Sequence, residues 1–399
     1  MKGMNWDHFL NRLGEALRDE ESRRNLRVVI GRWIRRAFLV ITVGYALALA
    51  GLVGGMRWIG EQHMTLGFLL YLPRQTFLLP LPFIMVLTLF FDWKLVGLQI
   101  AAGAAFVAFG MEWQGRSVNV WKGTVEEGIF TVLTYNRGQH ANQSLQPFKN
   151  LTKPDFIVFQ EAPLRAQRYG KAEGYEEFTS HVSLGEFTLL SRFPIISATP
   201  VMAKTAERER MVAVRYVVDL GGRHAAIYSV HFASPRRTLG SYARGGFLYG
   251  VIGLPGTPFN EKRKKSQLWW DDRIEQAREL LLMIEQESLP VILAGDLNAP
   301  SGGYIHQLFK STLRDAHAEA GSGFGFTFPG ATHNPLSGGG PWMRIDYVFC
   351  SSRWEPVACL TEEERPSQHR AVAVKFKWMD VQSPPAESSG GLPLTGQGP

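Results

Sequence analysis

A run of residues without a single charged side chain, Ala37 to Met56, constrains this chain more than any other feature. A helix of that length covers about 30 Å at a rise of roughly 1.5 Å per residue, which matches the hydrocarbon core of a bilayer. A helix satisfies its own backbone hydrogen bonds, so it can cross a layer that contains no water. The run therefore predicts a membrane-spanning helix.

Two further apolar runs follow. Leu66 to Phe91 contains an arginine and three prolines, so we interpret it as one kinked span whose best part is Thr76 to Phe91. Leu95 to Met111 is joined to it by three residues, which predicts a helical hairpin. The alternative is that the second and third runs are buried helices of a soluble domain. We favour a transmembrane region of three helices over residues 37–113.

The first 36 residues carry nine Lys or Arg and five Asp or Glu. Basic residues beside a span tend to stay cytoplasmic, so this segment predicts a cytoplasmic N-terminus. Three spans then make a multi-pass protein of the cell membrane whose remainder is extracytoplasmic, whereas two spans would reverse this. Within residues 1–36, apolar residues recur at helical spacing from Trp6 to Leu17, which favours an amphipathic helix on the membrane surface or against the spanning helices.

After Gly128 the sequence changes to short β-prone runs separated by turn residues. The most apolar runs are Ile129 to Tyr135, Phe156 to Phe159, Ala225 to Val230 and Val291 to Ala294. Continuous apolar runs are typical of strands covered on both faces, and a helical pattern, Ile274 to Ile284, precedes the last of them. Residues 128–377 are thus predicted to form an α/β domain, and residues 380–399, rich in Pro, Gly and Ser, to be disordered.

The chain has two cysteines, Cys350 and Cys359. Two thiols cannot supply a disulfide framework or a metal site made of thiolates. They flank a short turn and could pair across a hairpin, but we favour free thiols.

Polar residues follow the predicted strands at the point where each strand ends. Asp296 and Asn298 follow one strand, and in extended chain positions i and i+2 point the same way. Glu161 follows another and offers a carboxylate that suits a hard cation such as Mg²⁺. Asn136 follows the first strand and can supply an amide oxygen or donor. Each of these alone is an ordinary turn residue, but their recurrence favours one shared site.

Two histidines also lie at strand ends: His231 follows a strand and His369 precedes one. An isolated histidine is usually structural. Asp346 lies in an apolar segment, where an unpaired carboxylate would be costly to bury. Pairing with a histidine would satisfy Asp346 and favour the charged imidazole, as a group facing a phosphate requires.

The chain resembles the endonuclease/exonuclease/phosphatase superfamily in seven short blocks that occur in the family's order. The blocks are Thr134-Tyr135-Asn136, Gln160-Glu161, Leu190-Ser191-Arg192-Phe193-Pro194, His231, Gly295-Asp296-Leu297-Asn298, Arg344-Ile345-Asp346-Tyr347 and Ser367-Gln368-His369-Arg370. No block is specific alone, but the ordered series is. The resemblance implies an α/β fold, a four-layer αββα sandwich of the DNase-I type, with its site at one edge of two packed sheets.

The resemblance also implies a metal-dependent phosphoesterase in which water attacks the phosphorus in line, without a covalent enzyme intermediate. By this resemblance Glu161 binds the divalent metal, Mg²⁺ or Mn²⁺, and Asn136 lies beside it. Asp296 would orient or deprotonate the attacking water. Asn298 would hold the phosphate.

His369, paired with Asp346, and His231 would contact phosphate oxygens and stabilise the charge that develops on them. One position departs from the family pattern: Gln368 stands where the family block usually reads Ser-Asp-His. The absent carboxylate would lie near the metal. The number of metals, their affinity and the reaction rate therefore stay open.

The segment from Phe232 to Asp272 bears on the substrate, because it is longer than a plain connection requires. Between Arg236 and Lys265 it holds seven basic residues and one acidic one, around the apolar stretch Gly246 to Leu254. A basic loop with aromatic residues could bind nucleic acid, a basic loop with an apolar tip could enter an anionic membrane, or the loop has no substrate role.

Three functions follow as hypotheses. The favoured one is a membrane-anchored phosphodiesterase or phosphatase acting on a lipid headgroup or another extracytoplasmic phosphoester. The second is a nuclease acting on DNA or RNA. The third is a non-catalytic membrane scaffold with a decayed phosphoesterase fold, for which Gln368 is the supporting feature. The predicted partners are the lipid bilayer and a phosphoester substrate, and no obligate protein partner is expected.

Overall fold

The computed structural model describes residues 20–116, 121, 128–138, 144–204, 209–243, 258–365 and 368–379. Three predictions fall outside these ranges: the amphipathic helix between Trp6 and Leu17, the apolar stretch Gly246 to Leu254, and the disordered tail. The described residues form an N-terminal helical region and a larger region of two sheets and further helices.

The N-terminal region is helical, which lets its long charge-free runs satisfy their backbone hydrogen bonds internally. Its helices are α1 (Glu20–Trp58), α2 (Met64–Leu69), α3 (Pro80–Phe91) and α4 (Trp93–Ala105), with a π-helical turn at Phe106–Gly110 and 3₁₀ turns at Gly60–Gln62 and Arg74–Leu78. Three stretches are long and apolar enough to cross a membrane: Arg23–Trp58, Arg74–Phe91 and Trp93–Gly110. The second run is not one kinked helix, because its prolines separate α2 from α3. Only α3 together with the 3₁₀ turn before it is long and apolar enough to span a membrane.

The three long helices are joined by buried polar contacts. The Gln99 side chain of α4 donates to the hydroxyl of Thr42 in α1 at 2.8 Å and to that of Thr88 in α3 at 3.0 Å. Asp92 alone separates α3 from α4, and its carboxylate accepts the backbone N–H of Lys94 at 3.2 Å. The predicted helical hairpin is confirmed.

The outward surfaces of α3 and α4 are apolar and exposed. Phe83 and Phe90 of α3 are 74% and 78% exposed, and Ile100 of α4 is 55% exposed. Large apolar side chains at this exposure do not belong to helices buried in a soluble domain. This exposure speaks against helices buried in a soluble domain and agrees with the predicted spans.

The larger region contains two six-stranded mixed sheets. Its strands are β2 (Ile129–Asn136), β3 (Phe156–Gln160), β4 (Ser180–Leu184), β5 (Phe187–Ser191), β6 (Ile195–Lys204), β7 (Glu209–Asp219), β8 (His224–His231), β9 (Val291–Asp296), β10 (Arg314–Asp315), β12 (Asp346–Cys350), β13 (Trp354–Thr361) and β14 (Val372–Trp378). Two short strands, β1 (Gln114–Gly115) and β11 (Ser322–Gly323), pair separately. Sheet A has the order β10-β12-β9-β8-β7-β6 and sheet B the order β13-β14-β2-β3-β5-β4. In each sheet one central pair is parallel, β8 with β9 and β2 with β3.

The remaining helices cover the sheets. They are α5 (Gln146–Thr152), α6 (Ala166–Tyr169), α7 (Arg236–Ala243), α8 (Pro258–Glu285), α9 (Tyr304–Thr312) and α10 (Ala316–Ala320). Val158 of sheet B and Ile227 of sheet A belong to one buried cluster between the sheets. Leu280 of α8 and Phe309 of α9 pack on the outer face of sheet A, and Phe148 of α5 packs on that of sheet B. The helix, sheet, sheet, helix order agrees with the αββα sandwich expected from the sequence.

The basic segment after β8 differs from the sequence prediction. The basic segment Phe232 to Asp272 is not one long loop, because α7 lies within it and α8 already begins at Pro258. Its Lys, Arg, Glu and Gln residues favour helix, and Trp270 provides a buried anchor that is only 1% exposed.

The expectation of free thiols is confirmed, since both cysteines are free and buried.

Candidate active site

The ends of the parallel strand pairs meet at one edge of the sandwich. The register pairs Asn136 with Gln160 in sheet B and His231 with Asp296 in sheet A. Gly295 permits the close approach of β9 to β8, since a Cβ at this position would lie 2.0 Å from the carbonyl oxygen of Val230. The chemistry-bearing residues of four strands are thereby brought to one place.

Asp296 is the centre of the cluster and is fully buried. Its Oδ2 accepts hydrogen bonds from Asn136 Nδ2 at 2.9 Å and Asn298 Nδ2 at 3.0 Å. Its Oδ1 accepts the backbone N–H of Asn298 at 2.6 Å. Asn298 and Glu161 adopt positive φ angles of 48° and 49°, a region that is costly for residues other than glycine and that concentrates at functional sites.

Both predicted histidines point Nε2 towards Asp296. His369 Nε2 and His231 Nε2 each lie 3.8 Å from Asp296 Oδ2. The opposite nitrogen of each ring meets a carboxylate: His369 Nδ1 is 3.0 Å from Asp346 Oδ2, as the sequence predicted, and His231 Nδ1 is 3.2 Å from Glu186 Oε1. Two carboxylate–histidine pairs therefore flank one buried aspartate.

Glu186 is a residue that the sequence analysis missed. It lies in the turn between β4 and β5, where a glutamate after Gly185 is an ordinary turn residue. The position gives no sequence signal, because only the packing of the two sheets brings this turn to His231. Arg210 contacts the same carboxylate oxygen at 3.5 Å.

The pKa values follow from this arrangement. Burial and the nearby charge of Asp346 raise the pKa of Asp296 to about 6, although the two histidines oppose this. Burial works against the charged form of His369, but Asp346 and Asp296 outweigh it and raise the pKa of His369 to about 9. Glu186 similarly outweighs burial and raises the pKa of His231. The carboxylates thus favour the protonated form of both imidazoles that flank Asp296.

The donor set fits a divalent cation. Ligand atoms of Asp296, Asp346 and His369 lie within 4.8 Å of one another. Asp346 and His369 already pair with each other, so Glu161, which is only partly buried, is the more available oxygen donor. Buried carboxylates that converge with too few cations suit a hard metal ion such as Mg²⁺.

Asn136 presents its amide nitrogen to this site. The nitrogen lies 3.4 Å from Glu161 Oε1, while the amide oxygen accepts the backbone N–H of Gly138 at 3.0 Å. In this orientation Asn136 aligns two carboxylates by donating to both. Its role as a metal ligand stays a prediction.

A cavity of about 530 Å³ opens beside the cluster. Asp296, Asn298, Glu161 and His369 line one part of it, and the exposed Gln368 lies on the same wall. The cavity is large enough for a phosphoester and the groups attached to it. The other walls contain residues from the helical region and from the loops after β8 and before β12.

The helical region holds the loop that follows β9. The hydroxyl of Tyr71 donates to the carbonyl oxygen of Asn298 at 2.6 Å. Arg74 donates to the carbonyl oxygen of Ser301 and, at 2.5 Å, to that of Gly110. The Glu61 carboxylate accepts backbone N–H groups of the first turn of α9 at 2.7 and 3.3 Å. In the sequence Arg74 appears only as an interruption of an apolar run, and nothing there predicts these contacts.

The chain is similar to several solved structures. Among solved structures, an endonuclease/exonuclease/phosphatase family protein from Bacteroides thetaiotaomicron is 18% identical, covers 63% of this chain and 98% of its own, and superposes with a TM-score of 0.44. A mannosyl-6-phosphatase from the same species is 16% identical, with coverages of 62% and 100% and a TM-score of 0.43. The human Nocturnin catalytic domain is 14% identical, with coverages of 64% and 97% and a TM-score of 0.42.

No curated protein sequence matches the chain. The family model described as the endonuclease/exonuclease/phosphatase family matches residues 117–369, which is more than half of the chain. The matched range contains all strands of the two sheets except β14 and all seven predicted site residues, and the chain belongs to the endonuclease/exonuclease/phosphatase family.

Proposed function

We propose that the protein is a membrane-attached, divalent-metal-dependent hydrolase of phosphoesters. The observation that carries this proposal is the buried aspartate flanked by two carboxylate–histidine pairs, with Asp296 Oδ2 3.8 Å from His231 and from His369. Hydrolysis of a phosphoester needs a base for water and donors for the phosphoryl oxygens, and these groups supply both. Family membership supports the same reaction class, since members are phosphoesterase hydrolases and typically depend on a divalent metal.

In the proposed reaction Asp296 Oδ2 accepts a proton from water while the water oxygen bonds to phosphorus. The bond from phosphorus to the leaving oxygen breaks, and its electron pair leaves with that oxygen. His231 and His369 donate from Nε2 to phosphoryl oxygens, held in place by Glu186 and Asp346 at Nδ1. A divalent cation held by Glu161, with Asp296 and Asn136 close by, would neutralise charge and polarise the phosphoryl group.

The proposal of membrane attachment is based on the three long helices, whose ends contact one another at two levels. At one level Arg35 of α1 pairs with Asp92 of the α3–α4 turn at 2.6 Å. At the other level Arg74, which begins the second stretch, binds the carbonyl oxygen of Gly110, which ends the third. Between the two levels α1 presents the uncharged run Ala37 to Met56.

Both levels carry aromatic side chains of the kind enriched at membrane surfaces: Trp93 and Trp58 are 69% and 74% exposed. The basic residues of α1 precede the first level, so we propose that this level is cytoplasmic. Three spans then place the hydrolase on the extracytoplasmic side, in a multi-pass protein of the cell membrane.

The activity is tested with the full chain in detergent, a panel of phosphomonoesters, phosphodiesters and phospholipids, and Mg²⁺ or Mn²⁺. Hydrolysis is expected, with loss of roughly 10²-fold or more in Asp296→Asn and His369→Ala, because each removes a proton-transfer or charge-stabilising group. His333→Ala is the matched control, since His333 is exposed on a loop. Absence of hydrolysis across the panel would favour the non-catalytic scaffold instead.

A nuclease is the second candidate function. It is favoured by Arg236 and Arg237, two exposed cations on the wall of the cavity. Metal-dependent loss of plasmid DNA that Asp296→Asn abolishes would establish it.

A further inference from the structure

The cavity beside Asp296 has one polar wall and one apolar wall. The apolar wall consists of Tyr71, Leu239, Phe328, Trp342, Met343 and Ile345. The polar wall carries the catalytic groups. A substrate that fills this cavity therefore needs a phosphate at one end and an apolar group at the other.

The aromatic residues of the apolar wall have no hydrogen-bond donors to spare. The Tyr71 hydroxyl donates to the carbonyl oxygen of Asn298 at 2.6 Å, and Trp342 Nε1 donates to the carbonyl oxygen of Tyr71 at 3.1 Å. These side chains offer apolar faces but no donors for the edge of a nucleic acid base. Their neighbours Leu239 and Met343 are aliphatic, which suits a hydrocarbon chain better than a base.

The same wall lies beside the proposed membrane surface. Tyr71 is three residues before Arg74, where the second spanning stretch begins, so the two are at most about 10 Å apart along the chain. The interfacial layer that holds lipid headgroups is roughly 5–8 Å thick on each side of the hydrocarbon core. Trp58, which ends the first spanning stretch, and Leu268 of α8 are exposed apolar side chains, at 74% and 62%.

Two cations also line the cavity. They are Arg236 and Arg237 at the start of α7, and both are exposed. Guanidinium groups at this place attract the anionic phosphates of a membrane surface. Charge, apolar surface and location therefore point to one kind of substrate.

We propose that the substrate is an amphiphilic phosphoester of the bilayer, whose hydrocarbon portion lies against the Tyr71–Trp342 wall while its phosphate reaches Asp296. This inference rests on the proposed function and names its substrate class. The helical region then does more than attach the enzyme to the membrane, since Tyr71 both lines the cavity and holds the loop that carries Asn298.

Binding is tested with full-length protein in phosphatidylcholine nanodiscs, with Mg²⁺ present, by calorimetric titration of methylphosphonate and octylphosphonate. Empty nanodiscs correct for partition of the longer chain into lipid. We expect octylphosphonate to bind at least tenfold more tightly, because each methylene that becomes fully buried contributes about fourfold in affinity. Equal affinities would overturn the proposed substrate class, and this comparison needs no variant.

A variant pair locates the chain-length preference. Leu239→Ser removes an apolar side chain from the wall and is expected to reduce the octyl-to-methyl affinity ratio severalfold, whereas Leu239→Met should keep it. Leu282→Ser is the matched control, because Leu282 is 57% exposed on α8 and does not line the cavity. A ratio that Leu239→Ser leaves unchanged would place the alkyl chain elsewhere and contradict the proposal.

Turnover separates this inference from the proposed function. The substrates are methyl and octyl 4-nitrophenyl phosphate, which share one scissile bond and release 4-nitrophenolate on hydrolysis. A higher kcat/KM for the octyl ester supports both proposals. Equal hydrolysis of the two, or preferred cleavage of the 4-nitrophenyl ester of thymidine 5′-phosphate, overturns the lipid inference while the hydrolase stands. No hydrolysis of any of them overturns the proposed function and the inference with it.

Discussion

At the scale of single residues, the site is organised around the charge of one buried carboxylate. Asp296 is fully buried, and its nearest cationic partners are two imidazoles that are themselves oriented by carboxylates. Each outer carboxylate contacts Nδ1 of its histidine, so it fixes the direction of Nε2, and its charge favours the protonated ring. Glu186 and Asp346 are therefore positioning residues. Their replacement should reduce the rate of hydrolysis while the protein still folds.

Replacement of Glu186 tests this. Glu186→Gln keeps the shape of the side chain but removes the charge that favours protonated His231, so kcat should fall at least tenfold while KM changes little. Glu176→Gln, at an exposed turn position, is the control. A variant with wild-type kcat would show that the contact between Glu186 and His231 has no catalytic role.

Gln368 is the other informative residue, since it lines the cavity beside His369 where the family has an aspartate. Gln368→Asp adds a carboxylate to a site that is proposed to bind a cation, so the Mg²⁺ concentration for half-maximal activity should decrease. Gln368→Asn is the matched uncharged variant. If both variants require the same Mg²⁺ concentration as the wild type, position 368 does not contribute to metal affinity.

At the scale of elements, the strand ends position the site, and a short helix that follows β10 of sheet A contributes a buried histidine. The helix α10 buries His317, which is 5% exposed, against the charge of Arg344. Burial and Arg344 lower the pKa of His317 to about 4, so the ring is neutral in the folded protein at neutral pH. An unfolded chain protonates this histidine near pH 6.5.

The stability of the fold should therefore depend on pH through His317. Its folded-state pKa is depressed, so the unfolded state binds the proton more readily and stability falls as pH decreases from about 6.5 to about 4, by roughly 3 kcal/mol in total. Thermal unfolding of wild type and His317→Gln across this range measures the effect. The difference between the two melting temperatures should change most between pH 6.5 and pH 4, and a constant difference would contradict the assignment.

At the scale of the whole molecule, the helical region and the sandwich form one buried interface. Met64 and Tyr71 pack with Trp270 of α8, and Arg344 of the sandwich contacts Glu112, which follows the third long apolar stretch, at 3.4 Å. On separation Ser301 would lose the hydrogen bond from Arg74, and the first turn of α9 would lose that to Glu61. The apolar side chains packed at the interface would also become exposed to water, so the sandwich depends on the helices.

Removal of the helical region tests this dependence. A chain of residues 113–379 is expected to be markedly less stable than the full protein and to lose most of its activity, because the loop carrying Asn298 loses the Tyr71 hydrogen bond. Tyr71→Phe in the full chain removes the hydroxyl that makes this bond and should lower kcat with a loss of stability of about 1 kcal/mol. Full activity and unchanged melting of the truncated chain would mean that the helices serve only as an anchor.

The sequence by itself determined what depends on neighbouring residues. Charge-free runs predict the long helices, continuous apolar runs predict the central strands, and strand-end polar residues predict Asp296, Glu161 and His231, because periodicity and hydrophobicity act locally. The ordered blocks added the αββα fold and the pairing of His369 with Asp346. One local prediction was wrong: the basic segment after Phe232 was interpreted as a loop, although its residues favour helix.

Only the tertiary structure decided the rest. It brought Glu186 from a hairpin turn to His231, and Tyr71 to Asn298 across 227 residues of chain. Such contacts depend on how two sheets and three helices pack against one another, and a turn glutamate or a tyrosine near a span carries no local pattern that announces its partner. The physical reason is that local sequence sets which elements form, whereas burial of their apolar faces sets which distant side chains meet.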